Sequence, residues 1–122
     1  ALRAPVHDCV AFEQASAAGL EEAFGGSRPA HVYTRITNPT LGDFEEKIRL
    51  LTGGQAVVAV SSGMAAIANA IMVIGGPGRN IVTTRHIFGN TFSLFTKTLA
   101  AWGLATRFCD MTNPAAVARS ID

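Results

Sequence analysis

A turn of small residues separates two apolar stretches in the middle of the chain. Ser61, Ser62 and Gly63 follow the apolar run 56–60 and lead into Met64, where a stretch typical of a helix begins. The first turn of a helix has unpaired backbone N–H groups and the positive end of the helix dipole. Because small residues let an anion come close, this stretch is a candidate phosphate-binding turn. The alternative is an ordinary strand-to-helix turn, since neither GxxxxGK[ST] nor GxGxxG is present.

A tyrosine and an arginine stand two positions apart ahead of this turn. In an extended segment alternate side chains point the same way, so Tyr33 and Arg35 are expected to share a face. A phenol beside a guanidinium suits a phosphate, with one hydrogen bond and one forked, charge-assisted pair. The alternative is a solvated arginine next to a packed tyrosine.

A phenylalanine follows the second predicted strand, at the end of a parallel sheet where ligands gather. Phe88, next to Gly89, could present a flat face to an aromatic ligand, or it could be a core residue. His86 has no metal-ligating neighbour at a useful spacing, so no metal site is predicted. The three histidines are scattered, and no nucleophile–base pair stands out, so no catalytic residue is predicted in this chain.

The periodicity predicts alternating strands and helices after residue 38. Asn38 caps a helix that starts at Pro39 and ends at Gly53. Strands are predicted at 56–60, 80–84 and 104–109, and helices at 14–24, 64–74, 91–102 and from 114 onward. The first strand has no polar alternation, so it is expected to be buried on both faces. The order predicts an α/β fold with a mainly parallel sheet over residues 39–122, preceded by an extended arm over residues 1–38.

Composition excludes several classes of protein. The 122 residues carry a net charge of +1 without a basic block, which argues against binding to nucleic acid. No apolar run approaches the length that spans a membrane, and Cys9 and Cys109 favour reduced thiols in a cytoplasmic protein over a disulfide. A mean hydropathy of +0.28 is high for a chain of this size. We therefore expect a piece of a larger protein, or burial against another chain.

The motifs together resemble the cysteine and methionine metabolism family of pyridoxal-phosphate enzymes. The strongest matches are YTRITNPT, AVVAVSSGMAAI, HIFGNTFSLF and WGLATRFCD, which occur in this order over nearly the whole chain. The resemblance implies the large domain of a fold-type-I pyridoxal-phosphate enzyme, incomplete in this chain, with three layers. It also implies a homo-oligomer, a dimer of dimers, with a small amino-acid substrate.

The resemblance also assigns roles to the candidate residues. Tyr33 and Arg35 would bind the cofactor phosphate of a neighbouring subunit. Gly63 and Met64 would bind the phosphate of their own subunit through backbone N–H groups, with Ser62 in the same cofactor-binding turn. Phe88 would stack on the pyridine ring. Most members of the family have a tyrosine at that position, whose hydroxyl is assigned a proton-transfer role, so no catalytic role is given to Phe88.

The family's covalent chemistry needs a lysine that this chain does not provide. Lys47 and Lys97 are the chain's lysines, and both lie on predicted helices of the scaffold. The resemblance thus implies the N-terminal part of an enzyme that makes homocysteine or methionine from O-acetylhomoserine and a sulfur nucleophile. Alternatives are a cystathionine γ-synthase, a cystathionine γ-lyase or a methionine γ-lyase of the same family. An alternative of another class is a non-catalytic α/β module that binds a phosphate ligand or a partner protein.

Overall fold

The computed structural model describes residues 4–121, which divide between Ala59 and Val60 into two compact units. The first unit holds two helices, and the second holds three helices, a π-helical segment and two strands. The elements in chain order are α1 (Ala17–Phe24), α2 (Pro39–Thr52), α3 (Gly63–Ile74), β1 (Asn80–Thr83), α4 (Gly89–Ser93), the π-helical segment (Leu94–Leu99), β2 (Ala105–Phe108) and α5 (Pro114–Ser120).

The N-terminal residues of the first unit pair with the segment that leads into α2. Ala11 and Tyr33 form an isolated antiparallel bridge, and the Thr34 N–H donates to the carbonyl of Val10 at 2.9 Å. The chain before α2 is therefore folded back on itself as a short two-stranded pairing. The boundary predicted at residue 38 for an N-terminal arm stays a prediction.

Helix α2 begins where its sequence predicts. The Asn38 Oδ1 accepts the Thr40 N–H at 2.8 Å, Pro39 occupies the first helical position, and Gly53 ends the helix with a φ of 68°. The Asn38 side chain also donates to the carbonyl of His7 at 3.0 Å and is 5% exposed. One buried amide thus caps the helix and also holds the N-terminal segment in place at His7.

The prediction of a strand at 56–60 is wrong for the described structure. These residues are assigned to no strand and have no strand partner within residues 4–121. An extended segment becomes a strand only when a neighbour takes up its ladder hydrogen bonds, and here the Ala59 N–H donates instead to the Glu45 carboxylate at 2.7 Å. The expected burial is also wrong, because Val58 is 79% exposed.

The second unit is built on two parallel strands and a small apolar core. Strands β1 and β2 pair in register from Asn80 with Ala105 to Thr83 with Phe108, and α4 and the π-helical segment connect them. The predicted parallel β–α–β order is confirmed for these two strands. The core consists of Ile71, Phe95, Leu99 and Leu104.

Two predictions about the helices of this unit need correction. Helix α3 spans nearly the predicted range, but it is not covered on both sides, since Val73 is 85% and Ile74 73% exposed in the described chain. The helix predicted at 91–102 starts at Gly89 and changes to π-helical geometry at Leu94. The wider turns still place Phe95 and Leu99 in the core, so the apolar spacing is satisfied by an irregular helix. Among residues 4–121, no helix has the length and apolar character needed to cross a membrane.

Candidate functional site

The turn before α3 has free backbone donors. The Ser62 hydroxyl caps the helix by accepting the Ala65 N–H at 3.1 Å, and the Ala66 N–H donates to the Ser62 carbonyl. The N–H groups of Gly63 and Met64 have no protein acceptor within the described residues. Two donors at the positive end of a 12-residue helix are therefore available to an anion.

Gly63 lies in an open part of this turn. Its backbone is not in the left-handed region that requires glycine. A Cβ built at Gly63 would meet no other described atom within 4 Å, and the residue is exposed. Neither backbone conformation nor packing within residues 4–121 explains a glycine here. Room for a ligand next to the free N–H groups does explain it, so the turn fits a phosphate group.

Phe88 stands at a second helix start that touches the first. It immediately precedes α4, and its side chain is 84% exposed. One turn into α4, the Thr91 hydroxyl donates to the Met64 sulfur at 3.7 Å, which joins the first turns of α3 and α4. The structure thus brings the predicted residues Ser62, Gly63, Met64 and Phe88 to neighbouring helix starts. A core role for Phe88 is excluded in the described chain by its exposure.

Tyr33 and Arg35 are neighbours, although not in the predicted way. The segment is not extended, because residues 34–36 form a turn in which the Ile36 N–H donates to the Tyr33 carbonyl at 2.8 Å. The Arg35 guanidinium carbon lies 5.2 Å from the centroid of the Tyr33 ring. The guanidinium is exposed and stacked on the phenol, an arrangement that can present both groups to an anion. These two residues belong to the first unit, and the other predicted site residues belong to the second.

A pair of charged residues at the ends of the two strands was not predicted from the sequence. Arg85 and Asp110 each follow a strand by two positions, at the carboxyl edge of the sheet, and line a cavity of about 320 Å³. Their equal distance from the ends of two predicted neighbouring strands is the sequence feature that could have indicated that they lie together. The hydroxyl and the N–H of Thr112 hydrogen-bond the Asp110 carboxylate, and these bonds, with a smaller contribution from His86, lower the pKa of Asp110.

Comparison with known proteins identifies the family. The model of the family described as "Cys/Met metabolism PLP-dependent enzyme" matches residues 1–122. The chain belongs to this family. The resemblance inferred from the motifs is therefore confirmed, and so is pyridoxal phosphate as the cofactor of the family.

Two curated relatives of the family are similar to most of the chain. An O-acetyl-L-homoserine sulfhydrylase from Corynebacterium glutamicum is 39% identical over 106 residues, which are 87% of this chain and 24% of that protein. An L-methionine gamma-lyase from Pseudomonas deceptionensis is 39% identical over 98 residues, which are 80% of this chain and 25% of that protein. The chain spans about a quarter of the length of these relatives.

A solved structure shows the same fold. The structure is a putative O-acetylhomoserine (thiol)-lyase from Campylobacter jejuni, solved with N'-pyridoxyl-lysine-5'-monophosphate. It superposes with a TM-score of 0.90 over 100% of this chain and 30% of that one, at 24% identity. This likeness confirms the predicted α/β, fold-type-I architecture and concerns the fold alone.

Proposed function

We propose that the natural protein containing this sequence is a pyridoxal-phosphate enzyme of γ-replacement chemistry. It would exchange the acetate of O-acetylhomoserine for a sulfur nucleophile. In that reaction the bond from the γ-carbon to the acetate oxygen breaks and a carbon–sulfur bond forms, so acetate leaves and homocysteine or methionine results. When bound, the cofactor supplies the electron sink for this chemistry.

The open first turn of α3 is the observation that carries the cofactor part of the proposal. The N–H groups of Gly63 and Met64 would hold the phosphate, and the Ser62 hydroxyl keeps the helix start in place through the Ala65 N–H. Backbone donors are well suited to this task because they are fixed by the helix and keep their partial charge at every pH.

Tyr33 and Arg35 would complete the phosphate site from a second copy of the chain. The support is the exposed guanidinium, held 5.2 Å from the Tyr33 ring, and the folded-back segment on which both residues lie. A site shared between copies makes a homo-oligomer the expected active form, with a dimer of dimers as the proposed arrangement. A cytoplasmic location remains a prediction.

Phe88 would orient the cofactor ring without moving a proton. Its ring is exposed at the start of α4, and an aromatic face can stack on a pyridine ring. A phenylalanine has no titratable group, so any proton transfer must use another side chain. Lys47 lies within α2 and Lys97 within the π-helical segment, away in sequence from the helix starts that form the candidate site. We assign no catalytic role to either.

A second candidate activity is γ-elimination. It is favoured by the methionine gamma-lyase, whose identity to this chain equals that of the sulfhydrylase. The two activities differ in what happens at the γ-carbon, since replacement retains the four-carbon amino acid and elimination degrades it.

The test compares the two reactions in one preparation. The purified natural gene product is incubated with O-acetyl-L-homoserine and sulfide or methanethiol, and separately with L-methionine alone. Mass spectrometry measures homocysteine and methionine in the first reaction, and trapped methanethiol in the second. We expect formation of the sulfur amino acid to exceed methionine breakdown by a wide margin. Methanethiol release with no sulfur amino acid formed from O-acetylhomoserine would refute replacement in favour of elimination.

A further inference from the structure

A cavity at the carboxyl edge of the β1–β2 sheet has no role in the proposed cofactor site. Its volume is about 320 Å³, at the lower end of the range of small-molecule pockets, roughly 300–1,000 Å³. Its lining combines a cation, a carboxylate, an imidazole and an aromatic ring: Thr84, Arg85, His86, Phe108, Cys109 and Asp110. The size is sufficient for a small polar metabolite.

The cavity lies between two opposite charges that are not paired with each other. Thr83 and Phe108 are register partners, so Arg85 and Asp110 occupy equivalent places, each two residues beyond its partner. Adjacent strands are about 4.8 Å apart, so long side chains of opposite charge at equivalent places can reach each other. No described carboxylate lies within ion-pair distance of Arg85.

The aromatic ring of Phe108 explains the separation of the charges. The Arg85 guanidinium carbon lies 4.8 Å from the centroid of that ring. The ring in turn stacks on Phe92 at 5.2 Å with an interplanar angle of 26°. The stacked pair provides a flat support that orients the guanidinium, whose edge keeps its N–H donors free.

The carboxylate opposite is held equally firmly. The Asp110 Oδ1 accepts the Thr112 hydroxyl at 2.6 Å and the Thr112 N–H at 2.9 Å. Both bonds favour the ionised form, so the carboxylate is charged at neutral pH. The Oδ2 atom has no protein donor among the described residues and is available to a ligand cation.

We propose that this cavity binds a small zwitterionic amino acid, whose carboxylate pairs with Arg85 and whose ammonium group pairs with Asp110. A zwitterion matches the two charges at once, whereas a dianion such as phosphate would be repelled by Asp110. A bare metal ion lacks a suitable donor set, since no group of three His, Cys, Asp or Glu side chains in the described chain could hold one. The inference goes beyond the proposed function and does not depend on the α3 turn.

The test measures binding of radiolabelled L-alanine to the natural gene product by equilibrium dialysis near neutral pH. Prior treatment with borohydride fixes any bound cofactor, so that the amino acid cannot condense with it. Arg85→Met and Asp110→Asn should each weaken saturable binding about tenfold, the loss of one charge-assisted pair. Arg119→Met and Asp43→Asn are matched controls on exposed helix positions and should bind as the unchanged protein does. Alanine bound at the cofactor site should be the same in all four variants. A difference in bound alanine between the cavity variants and the controls therefore measures binding in the cavity.

A competition measurement on the unchanged protein does not depend on the folding of any variant. Acetate has only the carboxylate of the amino acid, and methylammonium has only the ammonium group. Each should displace labelled alanine only at concentrations at least about tenfold higher than unlabelled alanine. Displacement by acetate as effective as by alanine would identify an anion site and overturn the proposal. Unchanged binding in both Arg85→Met and Asp110→Asn would overturn it as well. Neither result bears on sulfhydrylase activity, which is measured separately.

Discussion

Substituting Gly63 by alanine should separate stability from cofactor binding. Gly63 is the first residue of α3 and does not have a positive φ, and the methyl group of an alanine would meet open space, so the substitution costs no packing. Alanine also restricts the unfolded chain, and we expect the free energy of unfolding to rise by about 0.4–1 kcal/mol. The same methyl group would stand where the phosphate approaches the N–H groups. Loss of one charge-assisted hydrogen bond, about 1.5–3 kcal/mol, corresponds to roughly a tenfold to hundredfold weaker affinity for pyridoxal phosphate.

The assay titrates the cofactor-free gene product with pyridoxal phosphate by absorbance and measures unfolding in urea by circular dichroism. Gly42→Ala is the matched control, because Gly42 lies inside α2 and a Cβ there also meets nothing within 4 Å. It should stabilise the protein and leave the affinity unchanged. Pyridoxal, which lacks the phosphate, should be bound equally by Gly63→Ala and the unchanged protein. Undiminished affinity of Gly63→Ala for pyridoxal phosphate would refute the placement of the phosphate at this turn.

Three further predictions follow from single side chains. Phe88→Ala should weaken pyridoxal-phosphate binding about twofold to tenfold through loss of stacking, and Phe88→Tyr should restore it, with unfolding in urea unchanged because the ring is exposed. Asn38→Ala should lower the free energy of unfolding by about 1–3 kcal/mol in urea titrations, more than Asn113→Ala, because Asn38 is buried and also holds His7. The Arg49 guanidinium lowers the pKa of Glu46 below its usual 4.5, so the pair stabilises the fold above about pH 4.5 and ceases to do so as the pH falls through the lowered pKa. The urea midpoints of the unchanged protein and Glu46→Gln should therefore converge in acid; a constant gap would contradict this.

The helix starts could be predicted from sequence because their signals are local. Asn38 and Asn113 each precede a proline and cap the helix that follows, and Ser62 caps α3 in the same way. A cap involves a side chain and an N–H two or three residues away, so its sequence signal is contained within a few residues. The positions of Gly63 and Met64 at a helix start were predictable for this reason.

The strand predicted at 56–60 failed because a strand is a property of two segments. Its apolar residues were identified correctly, but no neighbouring strand in the described chain supplies the ladder, and Glu45 takes one of its N–H groups. The exposure of Val73 and Ile74 on α3 has the same origin, since burial requires a partner surface. Periodicity alone indicates which residues would be buried, and it does not show whether the covering surface is present.

Tyr33 and Arg35 lie close together as predicted, although the predicted extended backbone is not the conformation that brings them together. Their spacing of two predicted a shared strand face, and the observed turn brings them together by stacking instead. In a strand the two side chains would stand about 6.6 Å apart and act separately on an anion. In the turn the phenol orients the guanidinium, so removing the ring should disturb the arginine as well. The effects of Tyr33→Leu and Arg35→Met on phosphate affinity should therefore be less than additive.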